Sequence, residues 1–340
     1  MRAAAFRDVL KVLFYLVSCF VLAAIITPPF YEMGKGFANQ TLSQDSHEAL
    51  KWLATKAEKA QFDTYYKRAL LLVAVLGLYP LSRSLRSRFN PGRLRGTEWE
   101  EHLDPTTFAH NRHDLRSARS CIFQIVPGFL LSTTIVFLLA WGLLHFQWFE
   151  WKGEPTTDKL VSVAGRALRI AIFVSIVEEL LFRGALLSIF LRAFKPAVAI
   201  VFLSFLFASS HFLSPPDDIV IEDPAAPLAG MELLYQTGLR FIQPSTIMRG
   251  FLPLFLIGIV VGIARYRTRS LWLPIGLHIG WIFAAKVVGR MTRRIEDFDP
   301  SLNIYVGKKL TNGLIPSAGI IVTGLILLAI LRFLEPRKRT

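Results

Sequence analysis

Long apolar runs alternate with short charged segments along this chain of 340 residues, 53% of which are hydrophobic. A helix needs about 20 apolar residues to cross a bilayer core of roughly 30 Å. The pattern therefore predicts an all-α polytopic membrane protein, a bundle of about eight transmembrane helices. The predicted spans are residues 9–27, 66–82, 121–145, 162–190, 197–213, 249–264, 271–289 and 314–334. The second span is the weakest, because its apolar stretch from Ala69 to Leu81 is short and contains Pro80, so seven helices is the alternative.

The placement of polar residues divides the chain into three parts. Residues 160–290 place side chains of catalytic type inside apolar spans, so this part is the predicted functional core. Residues 1–159 are predicted to hold the N-terminal membrane helices, together with an extramembrane segment at 28–65 and a basic connector at 83–120. Residues 291–340 form a C-terminal loop and the last predicted helix.

The net charge of +14 is distributed over short loops and the C-terminus rather than over a soluble basic domain. This distribution excludes nucleic acid as the expected partner and indicates membrane lipid instead. By the positive-inside rule the basic loops face the cytoplasm, which predicts a plasma-membrane protein with both termini on the cytoplasmic side. The loop at 290–309 does not fit, since it is predicted outside yet carries Arg293, Arg294, Lys308 and Lys309.

Three charged residues, Glu178, Glu179 and Arg183, lie inside the apolar run at 170–189. A charge in the middle of a membrane helix costs about 2.5 to 3.5 kcal/mol on insertion scales, which makes a functional role the default interpretation. Residues four apart share one face of a helix, so Glu179 and Arg183 are predicted to form a supporting ion pair. Glu178 points to a different side and remains a carboxylate suited to act as a general base. Taken alone, Glu178 fits the proton relay of a transporter equally well.

Two histidines in other apolar helices are candidates to act together with Glu178. Phe207 precedes His211 by one turn at the end of the fifth predicted span, and its ring is expected to pack against that of His211. His278 lies in the seventh span. Taken singly, each histidine is as well explained by a hydrogen bond between helices. Together, Glu178, His211 and His278 can activate a water molecule, either directly through the carboxylate or through a divalent metal that they bind, for which zinc is the candidate.

With these residues the chain resembles the CAAX-processing and bacteriocin-processing family of intramembrane proteases, also called the Abi family. The matching motifs are Glu-Glu-x-x-x-Arg at 178–183, Phe-x-x-x-His at 207–211 and the third-motif histidine at His278, and the resemblance covers about residues 160–290. It implies an all-helical membrane core that hydrolyses a peptide bond in a membrane-anchored or lipid-modified protein. In the implied mechanism Glu178 and His211 activate water, and His278 helps to bind the oxyanion or a metal.

Ile282 departs from the family pattern, which usually has asparagine or a similar polar residue four positions after the third-motif histidine. Isoleucine cannot donate a hydrogen bond to an oxyanion. The leading interpretation is an intramembrane glutamate-dependent endopeptidase. A catalytically weakened membrane scaffold or immunity-type partner protein is the first alternative, and Ile282 is the argument for it. A proton-coupled transporter that uses Glu178 as its relay ranks third, because the sequence shows no inverted repeat with broken helices at matching positions.

Overall fold

The structure, a computed structural model, describes residues 2–44, 47–86, 118–212, 219–244 and 247–334. The chain falls into two compact units, one formed by Met1–Phe89 and Ser210–Gln243 and the other by Asn90–Ser209 and Pro244–Thr340. Most of the predicted connector at 83–120 lies outside the described residues. The predicted all-α class is confirmed, because the described residues form helices joined by loops, with a single pair of three-residue strands.

In chain order, the elements are α1 (Arg2–Ser43), α2 (Glu48–Lys59), α3 (Phe62–Arg86), α4 (Ala118–His145), β1 (Phe149–Trp151), α5 (Thr157–Glu179), α6 (Leu187–Ala193), α7 (Pro196–Ser210), α8 (Ala229–Phe241), α9 (Leu252–Thr268), α10 (Trp272–Met291), β2 (Thr292–Arg294) and α11 (Leu314–Leu334). A π-helical segment, Leu180–Leu186, joins α5 to α6 without a break, and a second one, Ile247–Phe251, precedes α9. The two strands pair antiparallel, with Glu150 opposite Arg293.

By length and composition, 7 helical segments among the described residues could cross a membrane, and each corresponds to a predicted span. The predicted span at 197–213 corresponds to α7, which has 15 residues and ends at Ser210. At 1.5 Å per residue α7 is about 22 Å long, shorter than a bilayer core of roughly 30 Å. The weak second span is α3, which stays helical through Pro80.

In the first unit, α1, α3 and α8 pack around a shared apolar cluster. Its buried members are Ala23, Ala24, Phe62, Tyr66, Ala69, Ile221, Ala229 and Leu233. Gly230 of α8 lies so close to the Ala24 backbone that a Cβ atom there would overlap it. The short helix α2 is fixed beside this cluster, because the Tyr65 hydroxyl donates a hydrogen bond of 3.0 Å to the Ala57 carbonyl.

In the second unit, α10 is the central helix, buried along most of its length against α4, α5 and α9. Two glycines let α4 approach it closely. A Cβ atom on Gly280 would lie 2.5 Å from the Phe129 carbonyl oxygen, and one on Gly276 would overlap the Ile125 backbone. Helices that present glycine in this way come into backbone contact, which fixes the register of one against the other.

The face of α5 that packs against α10 consists of small residues followed by a glutamate. Its buried members, each four positions after the last, are Ala167, Ala171, Ser175 and Glu179. Ala167 packs with Val287 and Met291 near the end of α10, whereas Glu179 contacts His278 nearer its start. The two helices therefore run antiparallel, and Ser175 lies on the interface one turn from Glu179.

The two ends of the second unit differ in charge. One end carries a basic cluster in or directly after the last turns of α6, α9 and α11: Arg192, Lys195, Arg265, Arg267, Arg269 and Arg332. The described residues of this end include no aspartate or glutamate. At the opposite end, Arg293 donates to Glu150 at 2.7 Å across the two strands, and the Arg294 guanidinium lies 4.4 Å from the centre of the Phe298 ring. Arg293 and Arg294, two of the four basic residues that did not fit the topology prediction, therefore have local partners.

Candidate active site

The imidazole of His278 lies between the two adjacent glutamates of α5. Its Nδ1 is 2.8 Å from Glu179 Oε1, and its Nε2 is 3.6 Å from Glu178 Oε2. The first distance is that of a hydrogen bond, in which Nδ1–H donates to the carboxylate. The second is slightly longer than a direct hydrogen bond. His278 and Glu179 are buried, whereas the Glu178 side chain is 25% exposed. Glu178 is therefore the more exposed residue of the pair, although its Oε2 atom, which faces His278, is buried.

Arg183 anchors the buried glutamate from the other side. Its Nη1 donates to Glu179 Oε1 at 2.9 Å, so the ion pair predicted from the spacing is present. Its Nη2 donates to the Gly258 carbonyl of α9 at 3.4 Å. One carboxylate oxygen thus accepts from both Arg183 and His278. This arrangement fixes Glu179, and through it the tautomer of His278, with Nδ1 protonated and Nε2 turned toward Glu178.

The ring of Phe207 contacts both Arg183 and the imidazole of His278. The Arg183 guanidinium carbon lies 4.5 Å from the Phe207 ring centre, a cation–π geometry, and the His278 ring meets Phe207 edge to face at 5.9 Å between centroids. Phe207 also packs edge to face against Phe182 at 5.1 Å. These contacts bring the first, second and third motifs into one cluster through Phe207, Arg183 and His278.

The helix changes type directly after the glutamates. Arg183 belongs to the π-helical segment Leu180–Leu186, whose wider turns follow Glu179 without interruption. Such segments are rare and recur at functional sites. Here the segment coincides with a buried guanidinium that reaches back to Glu179.

His211 follows the last residue of α7 and belongs to the first unit. Its side chain is exposed, and its Nδ1 lies 3.5 Å from Ser210 Oγ. Glu178 and His278 belong to the second unit. The predicted convergence of His211 with them, and the packing of Phe207 on its ring, therefore stay predictions.

The donor atoms of the site fit a zinc ion in part. Glu178 Oε2 and His278 Nε2 are 3.6 Å apart, close to the roughly 3.4 Å between two ligands of a tetrahedral zinc ion. A carboxylate on the other nitrogen, as Glu179 provides, is usual for a metal-binding histidine. However, the part of the chain that the structure describes has no group of three or more His, Cys, Asp or Glu side chains placed to hold a metal. The described residues do not form a complete zinc site, and zinc stays a prediction.

Ile282 is half-buried and packs against the apolar cluster of Ala171, Ile275 and Ile279. It lies in the interface between α5 and α10, one turn beyond His278. Its side chain offers no hydrogen-bond donor. The apolar character of this position thus follows from its neighbours on both helices.

Two features of this site were missed by the sequence interpretation. It separated Glu179 and Glu178 by role, yet both glutamates face the same imidazole. The sequence interpretation also did not identify Ser175, whose hydroxyl is buried one turn before Glu179. The signal for Ser175 was present in the sequence, because small residues at 167, 171 and 175 followed by Glu179 mark a buried stripe at helical spacing.

Comparison with known protein families gives a match that covers this cluster. Residues 160–284 match a family described as type II CAAX prenyl endopeptidase, Rce1-like. The matched segment contains every site residue described above, from Ser175 to Ile282. Comparisons with curated proteins and with solved structures gave no match.

Proposed function

We propose that this chain is an intramembrane protease of the family that its residues 160–284 match, described as type II CAAX prenyl endopeptidase, Rce1-like, and that Glu178 is the general base of its peptide-bond hydrolysis. The observation that supports this role most is the position of Glu178, partly exposed and 3.6 Å from His278 Nε2. A positioned carboxylate that accepts a proton in the transition state typically contributes about 10² to 10⁴ in rate.

The proposed mechanism requires one proton in the cluster beyond those of Arg183 and the Nδ1–H of His278. Glu178, Glu179, Arg183 and His278 together are neutral when one proton is shared between Glu178 Oε2 and His278 Nε2. In a low-dielectric interior a neutral cluster avoids the large cost of burying net charge. With that proton on His278, Glu178 is ionised and acts as base, and the imidazolium is a hydrogen-bond donor.

The proposed reaction uses these two groups. The Glu178 carboxylate accepts a proton from water while the water oxygen bonds to the peptide carbonyl carbon, and the carbonyl oxygen becomes an oxyanion. The Nε2–H of His278 donates a hydrogen bond to that oxyanion. The C–N bond then breaks, and the proton held by Glu178 passes to the departing amine. These steps use only Glu178, His278 and a water molecule. Should zinc bind, Glu178 and His278 would be ligands, and the ion would polarise the carbonyl or the water.

The proposed substrate is a membrane-anchored protein that carries a prenyl group on a C-terminal Cys-a-a-X sequence. The family description supports this class. An exposed apolar row, formed by Phe173 and Val177 of α5 and Leu181 of the π-helical segment, runs beside Glu178 and offers a surface for a prenyl chain. Purified protein in lipid vesicles is expected to cleave a farnesylated Cys-a-a-X peptide at least about tenfold faster than the same peptide without the lipid. Equal rates would contradict the lipid preference, and no cleavage of either would favour the scaffold alternative.

We also propose that the basic end of the second unit faces the cytoplasm, which places the C-terminus there. The basic cluster supports this orientation, since the described residues of that end include no acidic residue. In cells, a membrane-impermeant maleimide is expected to label Lys308→Cys from outside and Lys195→Cys only after lysis. Cys19 and Cys121 are replaced by serine beforehand. The reverse labelling pattern would contradict the orientation.

A further inference from the structure

Two buried polar atoms on α5 lie close to the site without a hydrogen-bond partner among the described residues. One is Ser175 Oγ and the other is Glu179 Oε2. Both residues are 0% exposed. A buried hydroxyl or carboxylate oxygen left without a partner costs roughly 1 to 3 kcal/mol, or more for a charged group. Two such atoms in one place therefore point to something that satisfies both.

The geometry of the helix brings these atoms together. Ser175 and Glu179 are four residues apart on the stripe that faces α10. Side chains on a helix lean toward its N-terminus, so a glutamate covers the turn that precedes its own Cα. The Glu179 carboxylate therefore extends over the turn of Ser175. Its Oε1 is already taken by Arg183 and His278, which leaves Oε2 as the oxygen free to face the hydroxyl.

We propose that Ser175 Oγ and Glu179 Oε2 bind one buried water molecule in the α5–α10 interface. The water accepts a hydrogen bond from the Ser175 hydroxyl and donates one to Glu179 Oε2, so that both atoms gain a partner. Buried waters of this kind usually connect two to four polar groups that would otherwise lack partners. A carboxylate only accepts hydrogen bonds, so the group that binds Glu179 Oε2 must be a donor. Water can donate to Oε2 and accept from the Ser175 hydroxyl at the same time, which a group that only accepts cannot do.

This water makes Ser175 a positioning residue for the proposed hydrolysis. The terminal torsion of a glutamate side chain has a broad minimum, so contacts at one oxygen leave the carboxylate plane free to turn. A second anchor at Oε2 holds the plane, and Oε1 then stays directed at His278 Nδ1. Ser175 thus acts on the imidazole through Glu179 and does not touch the substrate. The inference rests on the proposed function for its catalytic consequence, but the water site itself does not.

The kinetic test compares Ser175→Ala with a matched serine. Ser204 is 2% exposed, but its hydroxyl already donates to the Ile200 carbonyl of its own helix at 2.7 Å. Loss of a residue that orients a metal-binding histidine typically costs about 10- to 100-fold in activity, and we take the lower end of that range here. We expect Ser175→Ala to lower kcat about tenfold with KM unchanged, Ser175→Cys to fall between Ala and Ser, and Ser204→Ala to match the wild type.

The outcomes separate this inference from the proposed function. If Glu178→Gln abolishes cleavage while Ser175→Ala keeps the wild-type kcat, the positioning role is wrong and the proposed function stands. If Glu178→Gln cleaves normally, the proposed function is wrong, and the water site is then decided by an experimental structure at high resolution. That structure is expected to show one ordered water about 2.7 to 3.2 Å from both Ser175 Oγ and Glu179 Oε2. A direct bond between the two side chains, or an empty dry contact, would overturn the proposal.

Discussion

Glu178→Gln is expected to lower kcat/KM for peptide cleavage by about 10³-fold, within the range of 10² to 10⁴ for a positioned general base. Glutamine keeps the size and shape of glutamate, but its amide cannot accept the proton of the attacking water. Glu179 cannot take over this task, because it is 0% exposed and its Oε1 is occupied by Arg183 and His278. The measurement is steady-state cleavage of a prenylated peptide by purified protein in lipid vesicles.

The matched control for this prediction is Glu154→Gln, a glutamate on the exposed loop between β1 and α5. Its kcat/KM is expected to stay within twofold of the wild type. Glu178→Asp shortens the side chain by one methylene and should lie between the wild type and Glu178→Gln. A Glu178→Gln protein that folds and retains more than a tenth of the wild-type kcat/KM would exclude Glu178 as the base.

Arg183→Met is expected to reduce the free energy of unfolding by about 3 to 5 kcal/mol, the usual cost of removing one partner from a buried ion pair. The Arg183 side chain is 2% exposed and pairs with a Glu179 that is 0% exposed. Its loss removes the compensating charge from Glu179, the hydrogen bond to the Gly258 carbonyl and the cation–π contact with Phe207. The measurement is the denaturation midpoint of purified protein in detergent.

Arg293→Met is the control for this second prediction, because Arg293 also pairs with a glutamate at 2.7 Å but its side chain is 54% exposed. Exposed pairs contribute about 0 to 1 kcal/mol, so little change in stability is expected. The double variant Glu179→Gln with Arg183→Met should lose less stability than the sum of the two single variants, because neither charge is then left alone. Equal losses for Arg183→Met and Arg293→Met would show that the buried pair has no special role in stability.

The helices of the bundle were predictable because the pattern that encodes them is local. A run of apolar residues of the right length specifies a span, and the ion pair of Glu179 with Arg183 follows from the spacing of residues within one helix. The length of α7 was less predictable, because the apolar run at 197–213 continues past the point at which the helix ends at Ser210. The strands β1 and β2 are more than a hundred residues apart in the chain, so no local sequence pattern predicts that they pair.

The arrangement around His278 could not be predicted from the sequence, because it depends on the register between two helices, α5 and α10. Glu178 and Glu179 point in different directions from α5, and only the placement of α10 between them lets the two nitrogens of one imidazole face both carboxylates. That placement is set by the small residues of the α5 stripe and by Gly276 and Gly280, which admit α4 on the other side. The residues of the site could therefore be identified from the sequence, but the contacts between α5 and α10 could not be predicted.

If Glu178 and His278 hydrolyse a peptide bond, the product formed in ¹⁸O-labelled water shows it most directly. Wild-type protein in lipid vesicles is incubated with a farnesylated Cys-a-a-X peptide, and the products are weighed by mass spectrometry beside those of Glu178→Gln. We expect the wild type to release a shortened peptide with one ¹⁸O atom in its new carboxyl group, and Glu178→Gln to release none above background. Intact peptide from the wild type, or labelled product from both proteins at the same rate, would contradict the account.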